Sequence, residues 1–219
     1  MKQPPPPNFD PVARIYRYAE YLALGPLLQR TRTHFLPQLT LCHRALVLGD
    51  GDGRFTAQIL TKAEDIRILA VDTSETMLNL LQRRCEQATN RLPVHRLRTI
   101  RASALEITPS RDTDLITTHF FLDCLTQPEL NTLAQTLAAH TAPGTLWLLS
   151  DFGPPHPRLL RPFAALYIRA LYLAFRILTG LRVTRLPNPQ SALTAAGFDR
   201  IARHDLLHGL LYTEIWKHR

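Results

Sequence analysis

Cysteine is scarce in this 219-residue chain. Cys42, Cys85 and Cys124 are odd in number, lie in separate segments, and form neither a CxxC pair nor a Cys/His pair at ligand spacing. That argues against a disulfide scaffold and leaves free thiols in a reducing cytoplasm as the plain reading. An apolar N-terminal core is also missing. Met1-Lys2-Gln3 leads straight into Pro4 to Pro7, so no secretory signal is expected, and residues 1–9 read as an extended, disordered leader. No run of 18 residues is free of charge, which argues against a spanning helix. No internal repeat is visible. Acids are outnumbered by bases, 18 Asp and Glu against 26 Lys and Arg, giving a formal net charge of +8. A basic surface suits nucleic acid, anionic lipid or an anionic substrate without choosing among them. What is present in quantity is apolar: 45% hydrophobic and 20% charged residues describe a globular chain. Residues 10–219 are long enough for a single domain with a full core.

Apolar runs of strand type alternate with helical periodicity. Strands are expected at Ala45–Leu48, Ile66–Val71, His95–Ile100, Asp114–Thr118 and Thr145–Ser150. Helices are expected from about Gly53 to Lys62, from a Thr73 or Ser74 cap to about Ala88, and from Pro128 to His140. Ahead of the first strand, Asp10 to Leu36 reads as one or two amphipathic helices, capped by Asp10 with Pro11 behind it and broken at Gly25-Pro26. Five strands separated by helices, several of them almost wholly apolar, predict an α/β protein with a parallel sheet covered on both faces. The rhythm changes over about 154–187. Pro162 opens a strongly apolar helix, Phe163–Thr179, on which Arg158, Arg169 and Arg176 fall within roughly 20° of one another, with Arg161 some 60° further round. Gln190–Ala196 is a short helix stopped by Gly197. Phe198–Leu206 and Leu210–Trp216 then form a terminal strand pair around a tight turn. His204 and His208 fall on that strand and its turn, so no metal site is expected.

The organising stretch is Arg44–Thr56. Its apolar run stops at Gly49, Gly51 and Gly53, and a helical pattern begins behind them. A strand, a glycine turn and a helix N-terminus let backbone N–H groups approach a ligand closely. Asp72 ends the second strand nineteen residues beyond Gly53, the place for an acid that grips ribose hydroxyls. A dinucleotide fingerprint would need glycine at position 54, where Arg54 stands. An EF-hand fails because Arg54 and Phe55 occupy ligand and glycine positions.

G-x-G-x-G after strand one, with an acid closing strand two, resembles the class I S-adenosylmethionine-dependent methyltransferases. Asp72-Thr73-Ser74-Glu75-Thr76-Met77-Leu78 is similar to that family's acid-x-S-x-x-M-L run. Pro143-Gly144 resembles its turn before strand five, and Leu193–Phe198 its L-x-x-A-G-F entry to strand six. The resemblance implies a doubly wound, mostly parallel seven-stranded sheet of Rossmann-like type with a reversed last strand, N-terminal helices, and a helical insertion after strand five. It implies S-adenosyl-L-methionine as cofactor and its demethylated form as product. Gly49, Asp50, Gly51 and Gly53 would line the methionine and ribose side. Asp72 and Thr73 would meet the ribose; Met77, Ser103 and Ala104 would flank adenine; Thr118 would close the strand-four edge. Two departures stand out: Val47 where an acid is common, and Ala102-Ser103-Ala104 where an aspartate is common. Asp50 and Asp52 are candidates for the missing contact to the methionine ammonium. Phe9–Tyr16 with Leu24-Gly25 also resembles the opening of the ubiquinone/menaquinone biosynthesis C-methyltransferases, which implies a lipophilic, quinone-like acceptor.

Methyl transfer from a sulfonium depends chiefly on positioning, with a base needed only for an acceptor proton of high pKa. Acceptors in open α/β sheets sit at the carboxyl ends of the strands. His119 is the first candidate base there and Asp123 its orienting partner; a structural histidine and a helix cap are the plainer roles. The apolar helix reads in three ways: a cap offering Phe163, Tyr167, Leu171 and Phe175 to an acceptor, a contact of residues 158–182 with an anionic membrane, or a core helix with solvated arginines. The expected acceptor is a small apolar molecule, and the expected place the cytoplasm or the inner face of a membrane. A nucleic-acid acceptor is disfavoured, because His119-Phe120-Phe121-Leu122-Asp123 stands where base-flipping enzymes carry an N-P-P-Y type motif. A degenerate cofactor binder without transferase activity is the remaining alternative. Oligomeric state leaves no mark on the sequence.

Overall fold

A computed structural model describes residues 24–89, 95–168, 170 and 186–219. Strands form where apolar and β-branched residues run together: β1 (Arg44–Leu48), β2 (Arg67–Asp72), β3 (Leu97–Arg101), β4 (Leu115–His119), β5 (Leu146–Phe152), β6 (Phe198–Leu206) and β7 (Leu211–His218). They make one seven-stranded sheet in the order β3-β2-β1-β4-β5-β7-β6. The first five are parallel, and β7 runs antiparallel to both of its neighbours. This is the expected doubly wound sheet with its reversed last strand.

Alternate residues of the central strands feed two cores, as burial on both faces requires. Val47, Leu115, Leu148 and Ile215 pack with Phe55, Ile59 and Leu60 of α2 (Arg54–Lys62) and with Leu81 and Cys85 of α3 (Glu75–Thr89). Leu46, Ile116, Trp147 and Leu149 face the other way. They meet Leu130, Leu133 and Leu137 of α4 (Gln127–His140) and Leu193 of α5 (Pro189–Ala195). A capping box fixes the start of α4: Glu129 N–H donates to the Thr126 hydroxyl, while the Glu129 carboxylate accepts from Thr126 N–H at 2.8 Å. Such a box stabilises a helix start by about 1 kcal/mol.

Two expectations are adjusted, and a third gains detail. Gly25-Pro26, expected as a break in the helical pattern, stands at the start of α1 (Gly25–Thr33), with the proline in the first turn where its missing N–H costs nothing. Strand β5 continues through Asp151 to Phe152, and β4 reaches His119. In the segment after β5, residues 161–168 are helical, but Phe163 points into solvent while Ala164 and Ile168 are buried. The leader, Asp10, Tyr16 and positions 171–182 lie outside the described residues.

Candidate cofactor and acceptor site

Between β1 and α2 the chain turns through Gly49-Asp50-Gly51-Asp52-Gly53. Gly51 has φ +57°, a left-handed conformation costly for any residue with a Cβ, and a Cβ built there meets nothing within 4 Å. Gly53 has φ +80° for a different reason: it lies against α3, where a Cβ would stand 2.7 Å from Leu81 Cα. One glycine thus opens toward space and the other permits helix–turn packing. Asp52 serves that packing too. Its carboxylate pairs with Arg54 of α2 and Arg84 of α3, and Arg84 also donates to the Asp52 carbonyl at 2.8 Å. Asp52 is therefore a clamp between turn and helices.

Asp50 is placed differently. One carboxylate oxygen accepts from Thr56 N–H at 2.8 Å and from the Thr56 hydroxyl at 2.7 Å, holding the first turn of α2. The other, Oδ1, is buried and meets no hydrogen-bond partner among the described residues. Burial raises the Asp50 pKa above the ordinary carboxylate value, against the lowering effect of Thr56 and of the Arg32 charge.

At the carboxyl end of β4 the chain splays. Phe120 takes φ +52°, rare for an aromatic residue, and so three successive side chains leave in three directions. His119 turns inward to pack on Phe55, ring centroids 4.4 Å apart. Phe120 packs on Phe152 and under the Arg32 guanidinium, which stands 5.0 Å from its centroid. Phe121 covers Gly49 so closely that a methyl group there would collide with its ring.

The tautomer of His119 follows from its neighbours. Thr213 Oγ1 donates to the Leu149 carbonyl, so it accepts the single proton of Ser150 Oγ, 3.0 Å away. Ser150 is left to accept, and His119 Nδ1–H donates to it at 3.0 Å. Nε2 then carries a bare lone pair, buried and without a partner among the described residues. Burial, helped by the Arg32 charge, holds the His119 pKa well below its ordinary value, so the ring is neutral. Asp50 and His119 are both within electrostatic reach of Arg32, a buried α1 residue that sequence reasoning did not single out. Two orphaned acceptors next to the glycine turn suit a ligand that brings hydrogen-bond donors or positive charge.

The other expected residues fall nearby or in the core. Asp72 ends β2 and accepts from Ser74 N–H at 2.9 Å; Ser74 Oγ accepts in turn from Met77 N–H and caps α3. Ser103 accepts from Leu105 N–H at 3.3 Å, holding the short turn Ala104–Glu106 after β3. Thr73 has its carbonyl hydrogen-bonded by Arg101. Thr118 faces the α4 side, where its hydroxyl accepts from Trp147 Nε1 at 2.9 Å. Met77 and Ala104 are buried.

Asp123 is buried in the turn after β4, and it is joined by Asp151, a second buried acid that directly follows the expected strand Thr145–Ser150 and that sequence reasoning did not single out. The Asp151 carboxylate accepts from the Phe152 and Asp123 N–H groups, yet burial and then the Asp123 charge push its pKa well above the carboxylate range. Burial beside Asp123 keeps a proton on Asp151 to higher pH than on an isolated carboxylate.

Sheet order, glycine turn and the acid closing β2 define a class: this is the class I methyltransferase fold. Residues 45–144 match the family model described as a methyltransferase domain. Solved structures agree in fold. The S-adenosylmethionine-dependent methyltransferase SibL in its apo form is 17% identical with a TM-score of 0.68, the match covering 99% of this chain and 63% of that one. An O-methyltransferase family 2 protein from Planctomyces limnophilus, in complex with apigenin, is 18% identical with a TM-score of 0.69, covering 96% and 62%. Magnesium protoporphyrin IX methyltransferase from Synechocystis PCC 6803 with bound S-adenosylhomocysteine is 10% identical with a TM-score of 0.69, covering 96% and 97%. The chain spans about three fifths of the length of the first two. No curated protein matches the sequence.

Proposed function

We propose that this protein transfers the methyl group of S-adenosyl-L-methionine to a small, apolar or quinone-like acceptor. The observation that carries the reading is the glycine turn, open above Gly51 and flanked by the orphaned acceptors of Asp50 and His119, with Asp72 at the end of the neighbouring strand. The residues present fit the cofactor, which when bound supplies an electrophilic methyl group on a sulfonium. Backbone groups of Gly49, Gly51 and Gly53 face its methionine and ribose portions. Asp72 and Thr73 hold the ribose hydroxyls, and Met77, Ser103 and Ala104 border the adenine. Asp50 Oδ1 and His119 Nε2 accept from the ammonium, the contact that Val47, buried in the core, does not supply.

This gives His119 a binding task in place of the basic one. Its lone pair lies beneath the turn, packed on Phe55. Asp123 and Asp151, at the carboxyl ends of β4 and β5, stand where acceptors sit in such sheets. The raised proton affinity of Asp151 makes its ionised carboxylate the candidate for taking up a proton from an acceptor hydroxyl or amine. Calorimetric titration with S-adenosylhomocysteine tests the cofactor site. Binding to the wild type and loss in Asp72→Ala are expected, and equal binding by the variant sinks the assignment. Incubating a cell lipid extract with cofactor labelled in its methyl group tests transfer. Label in an apolar fraction supports the reading, whereas tight binding with no labelled product makes the protein a cofactor binder.

A further inference from the structure

Large apolar side chains left in solvent are few among the described residues, and three of the six fall in one short stretch after β5. Leu159 is 86% exposed, Phe163 72% and Leu166 69%. Phe163 and Leu166 share a face of the helix spanning 161–168, and Leu159 precedes Phe163 by four residues. The opposite face holds the helix to the protein through Ala164 and Ile168, which are buried. A helix made only to fill the core would turn its phenylalanine inward. This one buries an alanine and an isoleucine and presents its larger apolar side chains to the outside.

Charge identifies what they meet. Arg158 and Arg161 are exposed beside the stripe. Across the sequence from Phe152 to Phe198 there is no aspartate or glutamate, but there are six arginines: Arg158, Arg161, Arg169, Arg176, Arg182 and Arg185. A contact between two copies of this segment would oppose like charges, whereas an anionic surface neutralises them while taking up the apolar side chains. Position on the fold agrees. The segment leaves β5 at the carboxyl edge of the sheet, the edge that bears the glycine turn. There His156 N–H donates to the His208 carbonyl at 2.8 Å, tying the segment to the β6–β7 turn and its exposed Leu207.

We propose that residues 158–168 are a docking surface for an anionic membrane, with Leu159, Phe163 and Leu166 entering the headgroup boundary and the arginines engaging lipid phosphates. Docking in this way turns the mouth of the site toward the bilayer. The proposal goes beyond the transferase reading and does not need it.

Vesicle flotation of the full chain tests it, using phosphatidylcholine vesicles with and without phosphatidylglycerol. Capture by the anionic vesicles at low salt is expected, weakening as salt screens the arginines. Leu159→Ser/Phe163→Ser/Leu166→Ser is expected to lower the partition coefficient by about tenfold or more, since each side chain loses its apolar insertion. Arg158→Glu/Arg161→Glu is expected to abolish the preference for anionic over neutral vesicles. All five positions are exposed, and unchanged thermal melts verify that the variants fold. Absence of capture by anionic vesicles at low salt, or equal capture of the wild type and the serine variant, overturns the proposal. So does a wild type that sediments as a dimer, ignores vesicles, and becomes monomeric in the serine variant; the stripe is then a contact between copies. No acceptor and no turnover enter the measurement, so its failure leaves the transferase reading standing.

Discussion

Gly51→Ala separates holding the turn from admitting a ligand. Gly51 sits at φ +57° with no atom within 4 Å of an added methyl group, so the substitution meets no clash. It costs only the left-handed backbone strain of an L-residue, about 1–2 kcal/mol. For a domain of this size that lowers the melting temperature by about 2–8 °C, and the protein still folds. Under the proposed placement of the cofactor, the same methyl group occupies the space through which it reaches the turn. Losing one or two hydrogen bonds to a charged ligand, at about 1.5–3 kcal/mol each, predicts that S-adenosylhomocysteine affinity falls at least tenfold and up to several hundredfold or more. Two further variants calibrate the result. Gly144→Ala, at φ +95° and also in open space before β5, carries the same strain away from the site; it is expected to lower the melting temperature alike and leave affinity unchanged. Gly53→Ala drives a methyl group against the Leu81 backbone and is expected to destabilise well beyond either. Differential scanning calorimetry reads stability and isothermal titration reads affinity. A folded Gly51→Ala protein that binds S-adenosylhomocysteine within about threefold of the wild type refutes the placement of the ligand on this turn.

The buried histidine makes stability depend on pH with a definite sign. In the fold His119 stays neutral, whereas the unfolded chain takes up a proton near pH 6.5. Below that pH the unfolded state binds the extra proton, so the His119 contribution to stability is lost as pH falls, by at most about 2 kcal/mol between pH 7 and 5. In urea titrations the wild type should therefore lose more stability over that interval than His119→Gln; parallel losses refute it. Glu214 offers a test of a different contact. Buried on β7, it accepts from Arg200 at 2.8 Å, Arg203 at 2.7 Å and Trp216 Nε1 at 2.8 Å. Glu214→Ala strands the indole N–H and removes the shared acid of two guanidiniums. About 3 kcal/mol of destabilisation is expected, a melting temperature lower by about 6–12 °C. A fall of less than about 2 °C in calorimetry means that hydration replaces the network.

What could be read from the sequence was what neighbouring residues determine. Parallel strands buried on both faces must be apolar nearly throughout, so β1, β2, β4 and β5 announced themselves. The glycine spacing and the acid closing β2 are likewise local. Strand ends were less legible. An aspartate at the end of an apolar run reads as a stop, yet β5 carries Asp151 inside because the Phe152 and Asp123 N–H groups solvate its carboxylate. His119 shows the greater gap. Its neutral state and the direction of its lone pair depend on Ser150, Thr213, Phe55 and Arg32, which come from four separate elements. Strand alternation offers a side chain two directions, and only the left-handed Phe120 supplies the third. Orientation of the helix after β5 was also beyond periodicity, which gives the angle between side chains but not which side faces the protein.

The reversed strand has a consequence for the order in which the sheet can be assembled. Every ladder partner of β6 lies on β7, and β7 alone joins it to β5. Strand β6 precedes β7 in the chain, but it cannot take its place until β7 has. The pair must therefore add as a hairpin, and the turn at Leu207–Gly209, with Leu207 and His208 in left-handed conformations, keeps the loop to be closed short. Until that hairpin docks, β5 is an open edge bearing Trp147, Leu148 and Leu149, the kind of surface on which incomplete chains aggregate. A turn of three residues thus governs how long the growing sheet is exposed to its neighbours.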